Sequence, residues 1–282
     1  MYNCTFVSSN GNVFVFGIAN NNVFDLEGVS GIPVNLGTSQ GFSQVGETVE
    51  TKSVKGKKIT VKGVIFKNIA TTKNALKNIF SAFGRGKLIF EDKYYIDVEI
   101  AETPTISPIK NNGAFMVRLF APFPFFKKVE ESTYNIGLIE PKFRFPVNYS
   151  TPHKFGDKSS QKYINIINNG DLQTSFRIDL TTSATSNNIT ITNLQTLEFL
   201  KLNGTLNVGE KISVYRTSKN QLKAELIAGD VTTDIVGWID DDSNLEELAV
   251  GDNLILATDD EGGDSLTAQI TFNEVVSAVY ET

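Results

Sequence analysis

The residues of this sequence best placed to do acid–base chemistry are two carboxylate runs, Asp240–Asp241–Asp242 and Asp259–Asp260–Glu261. Two carboxyl groups held in different environments can split their pKa values and work as acid and base. Consecutive carboxylates in a strand or turn point different ways and repel one another, so both runs read as solvated loops. With Gly262, Gly263 and Asp264 the second run also offers oxygen ligands for a hard cation. The alternating Asp-x-Asp/Asn-x-Asp/Asn-Gly loop that wraps calcium is absent.

Other chemistry is scarce. The single histidine, His153, has no Gly-x-Ser-x-Gly nucleophile elbow to partner and reads as a surface residue. The single cysteine, Cys4, excludes an internal disulfide and has no cationic neighbour or second thiol, so a buried, inert thiol is expected. Gly84-Arg85-Gly86-Lys87 looks like a phosphate loop, but it closes a helix where a phosphate cradle must open one. No catalytic, cofactor-binding or metal-ligating set emerges, and no enzyme is expected.

The chain has 282 residues, 40% apolar and 21% charged, enough for a hydrophobic core and most simply divided into two domains. Residues 1–128 carry 15 Lys and Arg against 9 Asp and Glu, a balance of +6; residues 129–282 carry 11 against 23, a balance of −12. Such a change of sign suits two units with different surroundings. Lys52, Lys55, Lys57, Lys58, Lys62 and Lys67 could meet phosphates, but no aromatic residue interrupts them before Phe66. They read as one solvated strand face, without sequence-specific nucleic-acid binding. The N-terminal stretch, rich in Asn and Ser, reads as neither signal peptide nor membrane span. The sequons at Asn3, Asn148, Asn188 and Asn203 therefore read as accidents of an Asn- and Thr-rich composition.

The elements that must position any site are strands. Short β-branched and aromatic runs bounded by Asn, Gly, Asp or Ser predict strands at Thr5–Val7, Val13–Phe16, Lys58–Phe66, Lys87–Phe90, Tyr94–Ile100 and Ala114–Phe120. Ser9-Asn10-Gly11 and Asn111-Asn112-Gly113 supply turn chemistry. Leu76, Ile79, Phe80 and Phe83 recur at helical spacing, predicting a helix over Thr71–Phe83, capped by Thr71 or Thr72 and ended by Gly84. Between Gly28 and Lys58 a polar, Gly-rich stretch alternates Val45, Val49 and Val54 with polar residues. It reads either as an arm that needs a partner or as an ordinary long hairpin.

After the charged connector 127–132 the predicted strands are Tyr163–Ile167, Phe176–Leu180, Ile189–Thr192, Glu198–Leu202, Lys211–Tyr215, Gln221–Leu226, Leu254–Ala257 and Leu266–Phe272. Their spacing predicts a β-sandwich, jelly-roll-like, with one capped helical turn at Ser243–Leu248. Trp238 is expected in its core or rim. The domain boundary falls near residue 130.

At Arg118-Leu119-Phe120-Ala121-Pro122-Phe123-Pro124-Phe125-Phe126 a strand runs into an Ala-Pro-x-Pro-aromatic exit. Gly31-Ile32-Pro33-Val34, the Lys58–Ile65 strand, the single helix and Gly86-Lys87-Leu88-Ile89 precede it, the last with the Tyr94–Ile100 strand. Phe143–Val147, Asn168-Asn169-Gly170-Asp171, Ile189–Leu194, Gly209–Ile212 and Leu245 through Gly251-Asp252-Asn253 follow it. In this order the landmarks resemble the distal tail protein family of long-tailed, siphovirus-type bacteriophages and prophages. The region 28–57 is richer in Gly, Ser and Val than the family pattern, and Asn193-Leu194-Gln195-Thr196 lacks its Thr-Gly turn.

The resemblance implies a mainly β protein. Residues 1–130 would be a ring-forming, tail-tube-like domain, sandwich- or barrel-like with one helix, and residues 131–282 a galectin-like jelly-roll sandwich. It implies a homo-hexameric baseplate hub at the virion tail tip, assembled in the host cytoplasm. Its partners would be the major tail tube protein, a tail-tip, tail-associated lysin or fibre protein, and receptor-binding proteins. Genome DNA would pass through the lumen, with no cofactor and no membrane insertion. Val45, Val49 and Val54 are the expected oligomer interface, and trimming Gly37–Lys57 is expected to abolish assembly while both domains stay folded. The alternatives are a carbohydrate-binding or adhesin module for bacterial surface glycans, with Tyr215 and Trp238 as stacking residues, and a carboxylate-dependent glycosidase.

Overall fold

The computed structural model describes residues 3–137, 139–141, 156–158, 163–217, 221–262 and 264–279. His153, Asn148, Gly263 and the Phe143–Val147 landmark lie outside the described residues. The protein is mainly β, with a single α-helix among the described residues. It divides into two compact units, one running up to Glu130 and resuming at Val275, the other running from Glu131 to Glu274. The sequence expectation left everything after residue 130 in the second domain. Instead Val275 and Val276 return to pair with Lys127 and Phe126.

The first unit contains β1 (Cys4–Ser8), β2 (Val13–Phe16), β3 (Asn22–Glu27), β4 (Val34–Ser39), β5 (Thr48–Val54) and β6 (Lys57–Ile65). It continues through α1 (Ile69–Ile79), β7 (Arg85–Phe90), β8 (Tyr94–Ile106), β9 (Ala114–Ala121) and β10 (Phe126–Lys128). One antiparallel sheet runs β2-β1-β7-β8-β9-β6-β3, and β10 joins it through β8. Period-2 alternation drives this arrangement: Phe115, Val117, Leu119 and Ala121 on β9 are buried while their neighbours are not. The same face of β1, β2, β6, β7 and β8 lines one core, which α1 closes with Leu76 and Phe80. Phe80 sits 4.5 Å from the ring of Phe6 and within 6 Å of Phe14 and Phe16. Burying each such side chain contributes about 1.5–3 kcal/mol.

The helix is shorter than its apolar periodicity predicts. It starts after Asn68, in the left-handed region at φ 54°, with no side-chain cap from Thr71 or Thr72, and Phe80 is its C-cap. Phe83 therefore leaves the apolar stripe and stands fully exposed in the following turn at φ 66°. Gly84 follows because a Cβ there would meet the Ile100 side chain.

Cys4 is fully buried, and burial pushes its thiol well above the ordinary cysteine range. Native protein is expected to react with a thiol-specific chromogenic disulfide at least a hundredfold more slowly than urea-unfolded chain. Equal rates would place Cys4 at the surface.

The second unit contains β11 (Ser132–Ile136), β12 (Ile139–Pro141), β13 (Gly156–Lys158), β14 (Tyr163–Asn168), β15 (Thr174–Ser175), β16 (Arg177–Thr182) and β17 (Ser186–Asn193). It continues through β18 (Phe199–Leu206), β19 (Glu210–Arg216), β20 (Leu222–Ala228), β21 (Val231–Asp234), β22 (Glu247–Leu248), β23 (Gly251–Thr258) and β24 (Leu266–Phe272). One antiparallel sheet runs β11-β24-β16-β19-β20-β21 and a second β14-β23-β17-β18. Their inward-facing Ile, Leu, Val and Ala side chains form one sandwich core. The predicted helical turn at Ser243–Leu248 does not form. Ser243 Oγ instead accepts the Lys201 N–H at 3.0 Å, and Glu247–Leu248 pairs with β15. A strand partner outcompetes the local cap because it satisfies more backbone groups.

Three of the sequence landmarks are buried asparagine turns. Asn168 Oδ1 accepts the Gly170 N–H at 3.0 Å while its amide donates to the Leu172 carbonyl. Asn193 Oδ1 accepts the Gln195 N–H, and its amide donates to Asn253 Oδ1 at 3.3 Å. Asn253 is fully buried; its Oδ1 also accepts the Ala249 N–H, and its amide donates to the Ala249 and Gly251 carbonyls. These side chains substitute for backbone partners where strands end inside the sandwich.

Candidate assembly surface

The polar stretch between Gly28 and Lys58 folds as the hairpin β4–β5, a two-stranded sheet of its own. Neither strand contains a buried residue, and no residue of either belongs to either hydrophobic core. Residues directly opposite in an antiparallel pair share a face. Val34 faces Val54 and Leu36 faces Lys52, but past Gly37–Thr51 the register slips, so that Thr38 faces Val49 and Glu50 is the extra residue. This bulge moves Val49 onto the face that carries Val54.

The arm is therefore two-sided. One face presents Val34, Leu36, Thr38, Val49, Lys52 and Val54, and the other Asn35, Gly37, Ser39, Thr48, Thr51 and Ser53. The four aliphatic side chains on the first face are 44–55% exposed. Phe42 and Val45, in the connecting loop, are fully exposed. Of the three valines expected at the interface, the bulge thus brings Val49 and Val54 together, and Val45 lies apart at the tip. Val34 and Leu36, which alternate along β4, complete the stripe, and only the pairing slip past Gly37 aligns Val49 with them. Four half-exposed aliphatic side chains thus share one face of a hairpin that belongs to neither core.

The lysines do not form one solvated face. Lys58 and Lys62 point outward from β6, Lys62 pairs with Glu27 across to β3, and Lys52 lies on the arm. Lys57 has the parity of Ile59 and Val61 and is buried with them, which lowers its pKa. That parity was the available signal.

The stacking candidates of the second unit are separately engaged. The Arg177 guanidinium lies 5.3 Å from the Tyr215 ring centroid, and the Tyr215 hydroxyl donates to Glu225 at 3.2 Å. Desolvation and then that hydrogen bond raise the tyrosine's pKa. Trp238 ends the 3₁₀ turn Val236–Trp238 and lies so close to Gly204 that a Cβ there would overlap its ring. Each ring thus has one face covered. The carboxylate runs are turn staples: Asp240 accepts the Asn203 amide at 2.9 Å and the Asp242 N–H at 3.1 Å, which hold it below the ordinary carboxylate range. Asp260 accepts the Asn188 amide at 2.7 Å, and Asp259 the Glu261 N–H. Among the described residues, no three His, Cys, Asp or Glu side chains gather as a metal-ion site. No described helix is long and apolar enough to cross a membrane.

Among the described residues, an antiparallel sheet packed by one helix, a hairpin arm outside both cores and a second unit with a sandwich core make up a mainly β protein. No protein-family model matches the chain, and no curated protein matches it in sequence. Solved structures do match in fold. The Dit protein (gp 19.1) of phage SPP1, described as a paradigm of the hub adsorption apparatus of phages that infect Gram-positive bacteria, superposes with a TM-score of 0.69 at 13% identity. The match covers 98% of this chain and 99% of that one. A chain of the phage P2 baseplate in its activated, calcium-bound conformation matches with a TM-score of 0.54 at 11% identity, over 99% of this chain and all of the other. The strontium-bound form of that baseplate gives 0.53 at 11% identity. Over 98% of its length the chain is similar in fold to the SPP1 Dit protein, a phage distal tail protein.

Proposed function

We propose that the chain is a structural hub of a phage tail. Six copies close through their first units into a ring that continues the tail tube and joins it to the tip, while the second unit carries contacts to the adhesion apparatus. The tail tube protein, a tail-tip, tail-associated lysin or fibre protein, and receptor-binding proteins are the partners of this reading. The site of action is the virion tail tip after assembly in the host cytoplasm, with genome DNA passing through the lumen without base-specific contacts. The role is contact, not catalysis.

The observation that carries this reading is the apolar face of the β4–β5 arm, on a chain similar in fold to the SPP1 Dit protein over 98% of its length. A surface that belongs to neither core of its own chain suits a heterologous, head-to-tail contact, which closes into a ring when the rotation permits. Light scattering after size exclusion, over a concentration series, is expected to give a mass six times that of the 31.0 kDa chain, and negative staining a ring with a central hole. A monomer at every concentration, with and without tail tube protein, would sink the proposal.

A further inference from the structure

The arm leaves the first unit through a root held at three points. Gly28, at φ 81°, lies where a Cβ would overlap the Lys58 carbonyl. The Lys55 N–H donates to the Pro33 carbonyl at 2.8 Å, closing the base of the hairpin. Lys57, the first residue of β6, is 2% exposed, and its Nζ donates to the Val29 carbonyl at 2.8 Å. The same ammonium lies 4.9 Å from the centroid of the fully buried Phe126 ring on β10.

A buried ammonium is an expensive way to fill this position. Its desolvation opposes folding, and an apolar side chain of similar length would fill the space without that cost. What the ammonium adds is a directional hydrogen bond to a chain segment that no apolar group can hold. We infer that Lys57 is a positioning residue: from the core, braced on Phe126, it grips the Val29 carbonyl and fixes the direction in which the arm leaves. The inference rests on the arm being the assembly surface. A freely hinged lever loses conformational entropy each time it docks, and a gripped root removes much of that loss before docking.

The test compares Lys57→Met with the parent in the full chain and in a chain whose arm is cut back by replacing Leu36–Lys52 with Asn-Gly. Hydrogen exchange of the Lys55 amide, the thermal midpoint and the solution mass are read for all four. Lys57→Met is expected to speed Lys55 exchange at least tenfold in both backgrounds. It should leave exchange in β1, β7 and β8 unchanged, leave the midpoint undiminished, and raise the concentration for half-assembly of the full chain at least tenfold. Unchanged Lys55 exchange overturns the inference. So does a lowered midpoint with faster exchange throughout the unit, which makes Lys57 a packing residue only. If the cut-back parent still forms rings, it is the assembly role of the arm that falls, and the Lys55 result still reads the grip.

Discussion

Replacing Leu36–Lys52 by Asn-Gly is expected to leave both units folded and the chain monomeric. Asn35 and Ser53 already face one another across the hairpin, so a two-residue turn joins them without moving the root. The removed residues belong to neither core, so the thermal midpoint should stay within a few degrees of the parent. The loss at the interface is large. Leu36 and Val49 go outright, and Val34 and Val54 lose the sheet that presents them; at about 1 kcal/mol for each half-exposed aliphatic, an interface loses roughly 4 kcal/mol. That is about three orders of magnitude in affinity at each contact, and a closed ring multiplies it. The sequence suggested a cut extending to Lys57, which would remove a core residue and confuse misfolding with failed assembly. Rings of normal mass from the shorter cut, seen by light scattering and negative stain, would remove the arm from the interface.

Asn253→Asp is expected to cost roughly 3–5 kcal/mol at neutral pH, the scale of an uncompensated buried charge. The side chain keeps its size, so packing is not the cause. The amide that donates to the Ala249 and Gly251 carbonyls becomes an oxygen that repels them, in a fully buried position. The new carboxyl would be held above its unfolded value by burial and by those carbonyls. A raised folded-state pKa means that the folded chain binds the proton more tightly. The variant therefore regains stability relative to the parent as pH falls through that raised pKa toward the unfolded value near 3.9, and loses it again as pH rises. Urea unfolding of both proteins across acid to neutral pH checks the sign. A difference that is small at neutral pH, or that grows on acidification, would show that the turn does not depend on the amide.

The asparagine turns were legible because their signal is local. Asn168 reaches Gly170, and Asn193 reaches Gln195, within two residues, so Asn and Gly at strand ends announce them. The contact of Asn193 with Asn253, sixty residues on, carries no such signature. The helix shows the same division. Leu76 and Phe80 kept their predicted place in the core, but the helix ends at Ile79 with Phe80 as its C-cap, which leaves Phe83 outside the stripe.

By itself, the sequence determined the β-rich character and most strands of both units. These follow from composition and from a period of two, which each residue shares with its immediate neighbours. Only the tertiary structure decided that Val275–Val276 returns to the first unit, that Ser243 serves a strand and not a helix, and that Val49 and Val54 share a face with Val34 and Leu36. The side of a sheet on which a residue lies is settled by its partner strand, and one extra residue, Glu50, reverses it. The burial of Lys57 lies between these cases: its parity was readable, but only folding supplied the Val29 carbonyl and the Phe126 ring that make a core ammonium tolerable.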